Sequence, residues 1–301
     1  MRPSKPAVRS AEQLLLPNNV DLTRQKEFAM TSMFRRRFLA VAACFAFAAH
    51  CANVDIMSKA RAQEGPSTPP ELPSMAGQTV LVLGGTGRTG AQVVELLLAQ
   101  GVKVRSTSRN AAKAKAAQPN AEWVDVDFRQ IESVKGLTKG VDKVVFATGA
   151  NSFREPDNTP SLVEFEAPAA IIDEAKANGV KQIVLITSVS TTAADPAATK
   201  GFPGVMRYKL DLENHLKASG VPYTIVRPVG LVNDPRGKDA IALLPGDVQV
   251  PAMISRGDVA LVIVDALANP DAIGKSFTAF NVIHPDKTGW KSQFAHLPAD
   301  K

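Results

Sequence analysis

Three glycines spaced three residues apart lie between a short apolar run and a helical pattern. The run is Val80–Leu83, and the helical pattern begins after Gly90. In this order the first glycine permits a tight turn, the second lets the backbone approach a pyrophosphate, and the third lets helix and strand pack closely. The amino end of the helix offers N–H groups and a positive dipole end to phosphates. The alternative is a simple glycine-rich turn. The predicted dinucleotide contacts in this loop are Gly84, Thr86, Gly87, Arg88, Thr89 and Gly90.

The residues after the second apolar run predict which dinucleotide is preferred. NAD-selective sites usually place Asp or Glu here to hold the ribose 2′-hydroxyl, and 102–110 contains neither. Arg109 can instead pair with a 2′-phosphate, with Ser108 donating a hydrogen bond. The alternative for Arg109 is a solvated arginine in a loop. The pattern therefore favours NADP over NAD.

Two further positions follow predicted strands. Asp127 comes after the third strand, where a carboxylate can lie near the adenine amino group or can cap a helix or turn. Thr148 and Gly149 come after the fourth strand, where a loop of small residues can pass beneath the nicotinamide ribose or simply pack. Both positions are predicted cofactor contacts.

Short apolar runs alternate with helical patterns along the rest of the chain, which predicts an α/β fold with a doubly wound parallel sheet, the Rossmann type, in one domain over 77–301. The predicted strands are Val80–Leu83, Val102–Ser106, Trp123–Asp127, Val144–Ala147, Ile183–Ile186, Thr224–Arg227 and Phe277–Val282. The predicted helices are one after Gly90 and those over Asn110–Ala117, Ile131–Leu137, Val163–Asn178, Val205–Ser219 and Asp258–Leu267.

From Thr79 to Val282 the chain resembles the atypical short-chain dehydrogenase/reductases, specifically their NAD(P)H-binding, NmrA-like branch. The resemblance rests on the glycine loop, Arg109, Asp127, the Thr148-Gly149 loop and four later segments. These are Ile186–Ser188, Lys209–Leu216, Ser219–Pro228 and Ile254–Ala260.

The resemblance implies a catalytic serine, tyrosine and lysine, and a proline that passes the carboxamide end of the cofactor. Ser188 matches the serine, Lys209 the lysine and Pro228 the proline, but Val205 stands at the tyrosine position and cannot donate a proton. Lys209 is still expected to bind the nicotinamide ribose. Glu213, four residues later on the same helical face, is expected to pair with Lys209.

Two functions remain open. The first is an NADPH-dependent oxidoreductase without the catalytic tyrosine, acting on a small-molecule acceptor such as a quinone, flavin or tetrapyrrole that takes its proton from solvent. The second is a non-catalytic NADP(H)-binding sensor or assembly factor. The segment Asn151–Thr159 and a loop over Asn233–Asp247 should line the acceptor pocket, and neither carries a recognised motif.

The net positive charge of the chain comes from its first 62 residues. They contain ten of the 35 basic and four of the 29 acidic residues, which leaves 25 of each in 63–301. The body therefore has no electrostatic reason to bind nucleic acid. Both cysteines, Cys44 and Cys51, also lie in this leader, so cysteine chemistry is excluded from the body. The scattered histidines show no metal-ligand spacing.

The leader resembles a twin-arginine export signal. Arg35 and Arg36 precede the apolar run Phe38–Ala49, which is about half the length that spans a bilayer, so no membrane span is expected after cleavage. Residues 60–62 read Ala-Arg-Ala, a pattern that signal peptidase cleaves. The alternatives are a basic patch before a buried helix and an organelle transit peptide. Residues 1–32 fit no part of such a signal and are interpreted as a start-site extension, and 63–76 as a Pro- and Ser-rich linker.

Overall fold

The computed structural model describes residues 73–149, 159–192 and 204–301. Seven parallel strands and one antiparallel edge strand form an eight-stranded sheet, in the order β3-β2-β1-β4-β5-β6-β10-β8. Two further strands, β7 and β9, pair with each other. The strands are β1 (Thr79–Leu83), β2 (Lys103–Ser108), β3 (Glu122–Asp125), β4 (Lys143–Phe146), β5 (Gln182–Ile186), β6 (Tyr223–Pro228), β7 (Gly230–Val232), β8 (Ala240–Pro245), β9 (Met253–Ser255) and β10 (Lys275–Val282). The predicted fold class is therefore confirmed.

Six α-helices lie in the described ranges. They are α1 (Gly90–Ala99), α2 (Ala111–Ala117), α3 (Ala167–Ala177), α4 (Val205–Ser219), α5 (Arg256–Ala268) and α6 (Gln293–His296). A six-residue π turn, Ser161–Glu166, leads directly into α3. Since parallel strands are joined by right-handed crossovers, the strand order puts α1 and α2 on one face of the sheet and α3 and α4 on the other. Within the described ranges, no helix is long and apolar enough to cross a bilayer.

Alternation along the strands builds the core. Leu81 and Leu83 of β1 face the same cluster as Ile183 and Leu185 of β5, since side chains two residues apart share a face of a sheet. Helices α3 and α4 cover this cluster with apolar residues that include Ile171, Ile172, Leu212 and Leu216. The carboxyl ends of the parallel strands are thereby fixed along one edge, between the two helical layers.

Three predicted segments differ from the structure. The helix expected over Ile131–Leu137 is a single 3₁₀ turn, Ile131–Val134, because Gly136 takes a φ of +80° soon after it. The helix expected from Val163 begins with the π turn. The loop expected over Asn233–Asp247 contains strand β8, whose apolar residues pair antiparallel with β10.

The helix ends agree with the glycines that predict them. Gly179 and Gly220 follow α3 and α4 with φ of +68° and +79°, a left-handed conformation that glycine adopts without strain. Ser255 caps α5, since its side chain accepts a hydrogen bond from the Asp258 N–H at 3.0 Å.

Candidate functional site

The loop 84–90 turns tightly at the carboxyl end of β1. Gly84 has a φ of +80°, and the Gly87 N–H donates to the Gly84 carbonyl oxygen at 2.9 Å. A Cβ built on Gly90 would lie 2.3 Å from that carbonyl oxygen, closer than a carbon can approach. The first and third glycines therefore have the steric roles that the sequence predicts.

Gly85 has a role that the three-glycine pattern does not assign. A Cβ at this position would lie 1.9 Å from the Ser106 Oγ, which donates to the Val82 carbonyl oxygen at 2.8 Å. On the other side, a Cβ on Gly84 would lie 2.9 Å from the Ala147 carbonyl oxygen. The loop is thus pressed against the ends of both β2 and β4, and only glycine fits.

A cleft opens where this loop meets the carboxyl ends of β1, β2, β3 and β4. It brings together residues that are more than 60 positions apart in sequence. The predicted site residues that line it are Gly84, Thr86, Gly87, Arg109, Asp127, Thr148 and Gly149. Ser108, the predicted donor to the 2′-phosphate, also lines it. The lining residues that were not among the predicted contacts are Thr107, Val126, Phe128, Arg129, Ala147 and Val163. Phe128 and Val163 give an apolar surface of the kind that a planar ring system packs on.

Three loop residues named from the sequence lie off the lining of this cleft. Gly90 is buried at the start of α1, and Thr89 precedes it as the helix cap. Arg88 is exposed. Burial, and then the positive charge of Arg88, lower the pKa of Arg256.

Asp127 is held in an ion pair within the cleft. Arg129 donates to it from Nε at 2.9 Å and from its terminal nitrogen at 2.5 Å. The hydrogen bond from Arg129 is the largest effect on this carboxyl, and it holds the pKa of Asp127 below its ordinary value despite partial burial. Asp127 is therefore a carboxylate at neutral pH and can accept a hydrogen bond from an amino group.

Arg109 lies between two cavities. The second cavity, of about 670 Å³, runs between α1 and α2 over Trp123 and shares Thr86, Ser108 and Arg109 with the cleft. The positive charge of Arg109 also lowers the pKa of Asp127, although less than Arg129 does. A phosphate between Ser108 and Arg109 would find both a hydroxyl donor and a guanidinium.

Lys209 extends from α4 toward the π turn. Its Nζ lies 2.7 Å from Glu164 Oε2, and the two side chains are 13% and 6% exposed. Val205 begins α4 one turn earlier, on the same helical face, so no hydroxyl stands there. Glu164 was not predicted from the sequence, and its spacing from Lys209 offers no pattern that could have revealed it.

The predicted pairing of Glu213 with Lys209 is wrong. Glu213 accepts hydrogen bonds from Arg227 Nε at 3.1 Å and its terminal nitrogen at 2.5 Å, and from Thr187 Oγ1 at 2.6 Å. Arg227 is buried in β6, and a buried guanidinium requires a charged partner. Arg227 therefore pairs with Glu213, and Lys209 pairs with Glu164 of the neighbouring π turn.

The turn after β5 carries Ser188 and is held by hydrogen bonds to Asp247 and to the end of β6. Ser190 has a φ of +72°, the left-handed region that costs energy for a residue other than glycine. Asp247 Oδ1 accepts from the Ser190 N–H and its Oδ2 from the Thr192 N–H, both at 2.7 Å. The Val189 N–H donates to the Pro228 carbonyl oxygen at 3.0 Å, which joins this turn to the end of β6.

Comparison with known proteins assigns the family. A family model described as NAD(P)H-binding matches residues 84–270, from the glycine loop through the end of α5. The chain belongs to this NAD(P)H-binding family. An oxidoreductase from Lactococcus lactis has the same fold, with a TM-score of 0.62 at 19% identity over 74% of this chain and all of that one.

Curated relatives of this NAD(P)H-binding chain have different functions. An uncharacterised chloroplastic protein of Arabidopsis thaliana is 31% identical over 72% of the chain and 82% of the relative. An NAD(P)H azoreductase of Xenophilus azovorans is 29% identical over 73% of each. A photosystem II assembly factor of Trieres chinensis is 30% identical over 50% of the chain and 46% of that protein. These relatives thus include an enzyme and an assembly factor.

Some predictions lie outside the described residues. They are the twin-arginine leader, its cleavage site, most of the linker and most of the predicted acceptor segment Asn151–Thr159. Among the residues that the structure describes, no group of three or more His, Cys, Asp or Glu side chains could hold a metal ion.

Replacing Gly90 with alanine should destabilise the glycine loop. The new Cβ would lie 2.3 Å from the Gly84 carbonyl oxygen, so the backbone must move. We expect the free energy of unfolding to fall by about 1–3 kcal/mol, the range for overpacking. Gly149→Ala is the matched control, because its Cβ would meet nothing closer than 3.9 Å and should cost below about 0.5 kcal/mol. Equal losses in urea denaturation of the two variants would contradict the steric role of Gly90.

Proposed function

We propose that this protein is an NADPH-dependent oxidoreductase that reduces a small-molecule acceptor without a catalytic tyrosine. The observation that carries the proposal is the cleft at the carboxyl ends of β1–β4. In this cleft a loop whose glycines have no room for a Cβ lies beside Arg109. NAD-selective proteins usually carry an acidic residue near that position. Membership of the NAD(P)H-binding family supports the cofactor class.

The residues of the cleft fit the parts of a dinucleotide in turn. Gly84 and Gly87 line the cleft, and a pyrophosphate beside them would lie against the amino end of α1. Ser108 and Arg109 would hold the 2′-phosphate, and Asp127 would accept from the adenine amino group. Toward Thr148 and Gly149 the cleft would take the nicotinamide half, with Lys209 on its ribose. Ser188 lies just after β5 and Pro228 at the end of β6, the next two strands of the sheet.

The missing tyrosine restricts the acceptor rather than the cofactor. When bound, the reduced nicotinamide supplies a hydride, and the remaining proton can come from solvent if the acceptor is a quinone, flavin, tetrapyrrole or azo compound. The azoreductase relative supports such an acceptor. A buried ketone would need a proton donor within about 3 Å, and Val205 cannot act as one.

Arg109→Ala should remove the preference for NADPH. We expect wild-type protein to bind NADPH more tightly than NADH by calorimetry, because only NADPH presents a 2′-phosphate to Arg109. The variant should lose about 1.5–3 kcal/mol of that preference, the worth of a charged hydrogen bond. Arg207→Ala, which removes an exposed arginine on α4, should leave it unchanged. Equal wild-type affinities for the two cofactors would contradict the assignment.

The second candidate is a non-catalytic NADP(H)-binding sensor or assembly factor. Two observations favour it: the valine at the tyrosine position and the similarity to a photosystem II assembly factor, which covers half of the chain. Tight binding of NADPH without turnover would support this second function.

An assay of NADPH oxidation separates the two functions. We expect the purified protein to consume NADPH in the presence of at least one of a panel of quinones, flavins and azo dyes. Val205→Tyr should not by itself create ketone reduction, because the pocket need not present a carbonyl to the new hydroxyl. Turnover with none of the panel would favour the sensor or assembly factor, and strong ketone reduction by the variant would show that the pocket already suits a carbonyl.

We also propose that residues 1–62 export the protein to the periplasm in a folded state through a twin-arginine pathway. The support is the Arg35-Arg36 pair before a short apolar run and the Ala-Arg-Ala at 60–62. Cell fractionation and amino-terminal sequencing should find a mature protein that begins at Gln63. A cytoplasmic protein that begins near Met33, or unchanged export after both arginines become lysine, would contradict this route.

A further inference from the structure

The Lys209–Glu164 pair is buried at the end of the cleft where Gly149 lies. Both side chains are nearly excluded from solvent, at 13% and 6% exposed. Glu164 uses Oε2 for the lysine, and its Oε1 is 3.9 Å from the position of a Cβ on Gly149. Val163, the residue before Glu164, lines the cleft itself. The carboxylate therefore lies between the lysine of α4 and the loop after β4.

The π turn makes this contact. Ser161–Glu166 is wound more widely than an α-helix, and π turns are frequent at functional sites. The turn buries both Val163 and Glu164, side by side, next to the cleft. A carboxylate at this depth needs a charged partner, and Lys209 supplies it.

We propose that Glu164 is a positioning residue that holds the Lys209 ammonium at the nicotinamide end of the cleft. An ammonium has three N–H donors, and Glu164 accepts from one of them. The other two would then be available to the ribose hydroxyls of the nicotinamide half. The role rests on the proposed cofactor, and it gives the family's lysine a fixed partner in a chain that has Val205 in place of the tyrosine.

The position of the pair allows a sharp test. Adenosine 2′,5′-bisphosphate carries the adenine, its ribose and the 2′-phosphate, but it has no nicotinamide half. A residue that acts through Lys209 should affect the binding of NADPH and leave the binding of the bisphosphate unchanged. A residue that merely supports the fold should affect both ligands, or the thermal unfolding temperature alone.

Calorimetric titration of both molecules into the purified protein tests the role. We expect Lys209→Met to weaken the binding of NADPH about 10- to 100-fold, the effect of losing a charged hydrogen bond. Glu164→Gln should weaken it about 2- to 10-fold, because the lysine is kept and only its positioning is lost. Both variants should bind the bisphosphate within about twofold of wild type. The double variant should match Lys209→Met alone, because Glu164 acts only through the lysine.

Two further variants control the result. Asp211→Asn removes an exposed carboxylate from the same helix and should change neither affinity. Glu164→Asp keeps the charge and should regain part of the NADPH affinity lost in Glu164→Gln; if Glu164→Gln fails to fold, a selective loss of NADPH affinity in Glu164→Asp is the expected result.

Three outcomes would overturn the role of Glu164. They are unchanged NADPH affinity in the folded Glu164 variants, equal weakening of both ligands, and losses that add in the double variant. A wild-type protein that binds the bisphosphate but not NADPH would also contradict it. A wild-type protein that binds neither molecule would contradict the cofactor assignment itself, and this role with it.

Discussion

The contact between the glycine loop and the ends of β2 and β4 is the constraint on which the cleft depends. Gly85 leaves no room for a carbon beside the Ser106 Oγ, and Gly84 leaves almost none beside the Ala147 carbonyl oxygen. Because the loop after β1 packs closely against β2 and the end of β4, the polar groups that follow these strands converge on one cleft. The buried charges nearby are also paired, Arg227 with Glu213 and Lys209 with Glu164, because an isolated charge away from solvent is costly.

Much of the fold was predictable because its strands are short apolar runs and its helices end at glycines. The helix Val205–Ser219 has the predicted bounds, and every predicted strand is present. Strand β8 was missed because Ala240–Pro245 is an apolar run at an edge, antiparallel and without a helix before it, so the alternating pattern gives no reason to expect it. The helix predicted over Ile131–Leu137 was too long because the apolar spacing continues to Leu137. The helical backbone does not continue that far, since Gly136 has a positive φ.

The site divides in the same way. Contacts that follow a strand directly, such as Arg109, Asp127 and Gly149, are found together in the cleft because parallel strands deliver their ends to one edge. Ion pairs made by helix residues are different. The spacing of Lys209 and Glu213 is right for a pair within one helix, but it does not reveal that Arg227 competes for Glu213. Only the burial of Arg227 decides that pairing, and burial depends on the whole sheet. Arg129, two residues after Asp127, could have been found as a nearby opposite charge.

The π turn has a consequence for how relatives of this chain should be compared. An α-helix advances by about 100° per residue, so deleting one residue from Ser161–Glu166 would rewind the turn and rotate the residues before the deletion by about that angle. Helix α3, from Ala167 onward, would keep its place in the core. A single-residue gap could therefore separate the glutamate from the lysine while the fold and both amino acids persist. In an alignment of related chains, the length of this segment is then a more informative character than the residue type at either position.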